Sequence, residues 1–133
     1  MSVPPPEVAA AFAVFPDPAR TALLALRGRI LAIAATLPEV GPLTESLKWG
    51  QPAYRPTHPR TGTTIRLGIP KQGGYAIYTH CGSRVIADLK AVAGEGLRFD
   101  GNRGLLFDTQ SPMPDEPVDI LIRTALTYHL RRT

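Results

Sequence analysis

Between Leu23 and Leu37, apolar residues recur at alternating spacings of three and four: Leu23, Leu26, Ile30, Ile33 and Leu37. That spacing puts them on one helical face. Asp17-Pro18 just upstream supplies a start signal, with Asp as the cap and Pro at the first helical position, and Pro38 ends the pattern. Arg20 and Arg27 fall off the stripe and are expected to meet solvent. A shorter helix is predicted over Glu7–Val14. From Thr63 the period changes to two. Ile65, Leu67 and Ile69 alternate with polar positions, a five-residue turn follows (Pro70-Lys71-Gln72-Gly73-Gly74), and Tyr75 to His80 forms the return strand. This loop length pairs Leu67 with Ile77 on an apolar face and leaves Thr64, Arg66, Tyr78 and His80 on the other. A helix from Gly82-Ser83 to about Ala93 comes next, stopped by Gly94. Short strands at Leu97–Asp100 and Leu105–Asp108 follow. Asp115 then caps a last helix with Val118, Leu121, Ile122, Ala125 and His129 on its inner face.

The stretch Leu43–Tyr54 is the least periodic. Lys48 and Trp49 are placed on a short strand or turn running into Gly50-Gln51-Pro52, and Arg55 to Gly62 reads as an exposed loop. Hairpins imply antiparallel pairing. The expected fold is therefore α+β: two layers, an antiparallel sheet of about five strands, and helices packed mainly on one face. One domain is expected over residues 1–133, with residues 1–6 a flexible N-terminus.

Composition narrows the class. A chain of 133 residues buries a core without disulfides or metals. Its one cysteine, Cys81, excludes an internal disulfide and a four-cysteine zinc site, and suits a reducing compartment, so the expected location is cytoplasmic. Met1–Glu7 is Pro-rich and lacks the basic start and apolar run of a signal peptide. The most apolar stretch, Thr21–Leu37, contains Arg27 and Arg29 and reads as a core helix, and no membrane partner is expected. The net charge is +4, and lysine occurs only at Lys48, Lys71 and Lys90, so the basic side is mostly arginine. Arginine forks suit phosphate and carboxylate.

The best site candidate is the segment around the only tryptophan. Lys48, Trp49, Gln51 and Tyr54 bring a cation, an aromatic face and an amide together beside a turn that Gly50 and Pro52 define, and Tyr54 or Tyr78 is the expected opposite wall. Such a set lines a pocket for an anionic or planar ligand; the structural reading is that Trp49 and Tyr54 are core-edge aromatics and Lys48 a snorkelling side chain. For metal, the best acidic cluster is Asp115, Glu116 and Asp119, whose place at a helix start is explained by capping and the helix dipole. Cys81 reads as a lone buried cysteine, with a reactive thiol at a helix start as the alternative. His58 reads as solvated and His129 as a core-edge histidine; three scattered histidines make no zinc signature. Arg55, Arg60, Arg66 and Lys71 near one sheet edge, with Tyr78, make nucleic-acid binding the weaker alternative. No phosphate loop and no Ser-His-Asp order stands out, so no catalytic residue is assigned.

Four segments carry a resemblance to a family: Glu45–Tyr54 (ESLKWGQPAY), Tyr75–Tyr78, Asn102–Phe107 and Pro112–Pro117. Together, spanning roughly residues 18 to 130, they resemble the YdhG-like family, and the first is the most specific. The resemblance implies a single α/β sandwich-like domain without established catalytic residues. Some relatives are described as frataxin-like iron chaperones for iron–sulfur or haem assembly. The expected function is a non-enzymatic module that binds a small ligand or protein partner through the Trp49 turn, without a cofactor. The alternative is an iron chaperone.

Overall fold

The computed structural model describes residues 3–57 and 61–130. Helices α1 (Pro6–Val14) and α2 (Ala19–Ala35) lead into a hairpin of β1 (Leu43–Lys48) and β2 (Gln51–Pro56). Strands β3 (Ile65–Gly68) and β4 (Tyr75–Thr79) form a second hairpin. Then come α3 (Val85–Val92), a third hairpin of β5 (Arg98–Asp100) and β6 (Gly104–Phe107), and α4 (Asp115–Leu126). The six strands form one open antiparallel sheet in the order β1-β2-β3-β4-β6-β5. The fold is α+β, with one strand more than expected. The β3–β4 register is the one that the turn length predicts, Leu67 opposite Ile77 and Arg66 opposite Tyr78.

Side chains alternate across a strand, so the register sorts the sheet into two faces. One face presents Tyr54, Ile65, Leu67, Tyr75, Ile77, Leu105 and Phe107 to a single core. All four helices close that core, α2 with Leu23, Leu26 and Ile30, α4 with Val118, Leu121 and Ile122. Each fully buried Leu or Ile there contributes about 1.5–3 kcal/mol. The other face carries only a small apolar group, Ala76, Tyr78 and Leu106, between polar positions. No helix of the described residues is long and apolar enough to cross a membrane.

Several expectations are corrected. Arg27 does not meet solvent; it is 3% exposed. It lies four residues after Leu23, in the buried stripe, and forks onto Glu45 of β1 through Nε (2.6 Å) and Nη2 (3.0 Å). The Tyr54 hydroxyl donates to the same carboxylate at 2.7 Å. Asp17 and Asp115 are not capping side chains, since Pro18 and Pro114 occupy the cap positions and neither helix start has a side-chain cap bond. Asp17 accepts from the Thr21 hydroxyl (2.9 Å) and pairs with Arg20. Helix α3 starts at Val85, past Gly82-Ser83, and α4 ends at Leu126, which leaves His129 exposed beyond it. The expected loop over Arg55–Gly62 begins inside β2, and His58 and Arg60 lie outside the described residues. Its far end is not exposed: Thr61 and Gly62 are buried against the end of α4. Thr63 N–H donates to Ala125 O (2.9 Å) and Thr61 Oγ1 to Leu126 O (3.0 Å), satisfying helix-terminal carbonyls. A Cβ on Gly62 would stand 2.2 Å from Ala125 O, so the approach requires glycine. Among the described residues, Thr79 Oγ1 is buried on the core face without a partner, and nothing in the structure explains it.

Candidate functional site

The β1–β2 hairpin closes on the pair Lys48–Gln51, leaving a two-residue turn, Trp49-Gly50. Both turn residues have positive φ, 56° and 75°. Two-residue hairpins favour this arrangement because its twist matches the strands, and Asn-Gly or Gly-Gly normally fills it. Gly50 is suited to the turn. Trp49 is not: a bulky L-residue in the left-handed region is disfavoured by about 1–2 kcal/mol. No core packing offsets that, for Trp49 is 84% exposed. The hairpin thus holds an indole out from the protein in a conformation its sequence does not favour.

On the helix-free face, Arg66 of β3 stands opposite Tyr78 of β4, and Tyr78 opposite Gly104 of β6. The Tyr78 ring lies down on the sheet because Gly104 is bare; a Cβ there would be 2.8 Å from the ring. Gly68 plays the same part for the Gln51 amide, which would be 2.4 Å from a Cβ. Gln51 Oε1 in turn accepts from Arg66 Nη1 at 2.7 Å and orients that guanidinium. The Arg66 and Arg103 guanidinium carbons lie 5.5 Å and 5.9 Å from the Tyr78 ring centre, within cation–π reach. Arg103 also pairs with Asp100 at 2.9 Å. No ion pair to a carboxylate forms at Arg66 among the described residues; its partner is a neutral amide.

The electrostatics follow from this arrangement. Burial, and then the like charge of Arg103, hold the Arg66 pKa below the usual arginine value. Arg103 is shifted the other way by its hydrogen bond to Asp100 and that residue's charge. Burial pushes the Tyr78 phenol up, with Asp100 adding to the shift, so the ring is neutral at pH 7.

Two hollows, each about 520 Å³, open on this face. The first is lined by Lys48, Trp49, Arg55, His80, Cys81 and His129 among others. The second is lined by Gln51, Lys71, Tyr78, Phe99, Asp100 and Leu106 among others. Arg66 and Arg103 line both. In the first hollow, the Gly82 amide donates to His80 Nδ1 at 3.1 Å. Cys81 is exposed here, not buried as the sequence reading had it, because α3 begins four residues later and leaves it in the connecting turn.

Of the five predicted binding residues, Lys48 and Trp49 line the first hollow, and Gln51 and Tyr78 the second. Tyr54 does not join them. It is one residue out of phase on β2, fully buried on the helix side, with its hydroxyl held by Glu45. Asp115, Glu116 and Asp119 lie at the start of α4, where Arg29 of α2 bonds Asp115 Oδ1 (2.6 Å) and also pairs with Asp119. Asp115 and Asp119 join two helices, and no group of three or more potential ligands among the described residues could hold a metal. Arg103, His80 and His129 were missed. The strand alternation that put His80 beside Arg66 was the available signal for one of them; the others come from turns, where periodicity gives no direction.

No protein-family model, no curated protein and no solved structure matches this chain.

Proposed function

We propose that this domain is a non-enzymatic binding module whose helix-free sheet face takes a small anionic ligand, with Arg66 and Arg103 holding the anion. Lys48 stands at the rim, and the Trp49 indole covers the ligand. The observation that carries this reading is the pair of guanidinia at Tyr78, of which Arg103 pairs with Asp100 while Arg66 bonds the neutral Gln51 amide. A concave surface with surplus fixed cations and low-dielectric walls concentrates anions. The segment densest in YdhG-like resemblance, Glu45–Tyr54, is the hairpin that presents Trp49, which supports placing the site there. His80 Nδ1 accepts from the Gly82 amide, so the contact of that nitrogen is to backbone. The iron-chaperone alternative gains no support from Asp115 and Asp119, which both hold Arg29.

Calorimetric titration with inorganic phosphate and with citrate at low salt tests the proposal. Binding is expected for the parent chain, weakened at least about tenfold by Arg66→Met, a loss of about 1.4 kcal/mol, and unchanged by Asp115→Asn. Equal affinity in the parent and Arg66→Met would overturn it.

A further inference from the structure

We infer that the ligand is a phosphodiester carrying a flat group on each side: a dinucleotide, either free or as one step of a single strand. The inference rests on the anion-binding reading above and narrows it. Arg66 and Arg103 line both hollows, so the cations stand on the divide with a hollow to either side. An anion held there must continue into one hollow or both. Each hollow, at about 520 Å³, falls in the size range of small-molecule pockets. Each also offers a flat or apolar surface for a ring: the exposed indole of Trp49 in the first, Tyr78 and Leu106 of the open face in the second. Base–aromatic stacking tolerates any base, because every base has a π-face.

The two hollows, rather than charge, select the diester. Two guanidinia and the Asp100 carboxylate stand at the divide, Lys48 and Arg55 line the first hollow and Lys71 the second, so the face carries a surplus of positive charge that suits any phosphate. A diester extends to both sides of the divide, whereas a terminal phosphate extends to one. The like charges of Arg66 and Arg103 disfavour one another, and an anion between them relieves that repulsion. The guanidinium fork fits two oxygens of a phosphate in one plane. No covalent step is involved.

Calorimetry with thymidine 5′-monophosphate, the dinucleoside monophosphate TpT and a ten-residue oligothymidylate decides the matter. TpT is expected to bind at least about tenfold more tightly than the mononucleotide, and Arg66→Met and Arg103→Met, each checked by circular dichroism for an intact fold, are each expected to abolish that preference. An oligothymidylate that binds more tightly than TpT, with a steep salt dependence, identifies a single strand as the source of the step; equal affinity identifies a free dinucleotide. A mononucleotide that binds as well as TpT overturns the diester inference and leaves the anion site standing. Failure of phosphate, citrate and all three nucleotides to bind overturns the reading on which it rests.

Discussion

Arginine meets tyrosine on both faces of the sheet, and the surroundings give the two meetings different roles. Under the helices, Arg27 and Tyr54 converge on Glu45, and a bidentate ion pair with a third hydrogen bond closes the group within the core. On the open side, Arg66 and Arg103 approach Tyr78, Asp100 pairs with Arg103, Arg66 bonds the Gln51 amide, and two hollows lie alongside. The first group joins α2 to the β1–β2 hairpin. The second leaves charge and space unmatched. Residue identity does not separate the two; the number of guanidinia for one carboxylate does, one in the first group and two in the second.

The comparison breaks most sharply at Glu45. Removing one partner of a buried pair strands the other charge, so Glu45→Gln is expected to lower stability by about 3–5 kcal/mol in urea unfolding. A loss below about 1 kcal/mol would mean the pair is no better sealed than a surface salt bridge. The pH dependence sharpens the same point. Burial opposes ionisation of Glu45, yet the hydrogen bonds from Arg27 and Tyr54 and the charge of Arg27 outweigh it, and the folded-state pKa lies below the ordinary 4.5. The contribution is therefore present above 4.5 and lost as pH falls through the lower folded value, and Glu45→Gln should flatten the acid limb of the stability profile.

The hairpin tip gives an effect of intermediate size. Asn tolerates positive φ, so Trp49→Asn is expected to stabilise the fold by about 1 kcal/mol while weakening ligand binding. A thermal melt read beside a binding titration checks both signs, and a destabilised variant would show that the indole packs after all. The smallest effect on stability belongs to Arg66→Met, expected within about 0.5 kcal/mol of the parent even as anion affinity falls. If it destabilised the fold as much as Glu45→Gln, the two faces would not differ in the way described.

The legible and illegible parts of this fold divide by physical cause. Turn length and alternation set the β3–β4 register, and with it the Arg66–Tyr78 pair, from local residues alone. Strand β2 was hidden because Pro52, Arg55 and Pro56 read as loop. In the sheet the two prolines stand opposite Leu47 and Leu43, outside the short stretch Ala53–Tyr54 that also pairs with β3, where no N–H is required of them. Arg27 looked solvent-facing because charge is seldom buried unless paired, and its partner is 18 residues away. Of the five residues that the sequence groups together, Lys48, Trp49, Gln51 and Tyr78 line the hollows of the open face. Tyr54 was misplaced because strand phase, which sends neighbours to opposite faces, was not assigned there. Arg103 was beyond reach for a related reason: a turn residue has no phase.

The bare contact between Gly104 and the Tyr78 ring gives the open face a built-in spectroscopic reporter. The Gly104 α-protons sit within the ring current of Tyr78, and their chemical shifts record where that ring lies. A ligand that moves the phenol displaces those resonances whatever its own spectrum, so occupancy of the hollows can be followed at a backbone position that carries no side chain to perturb.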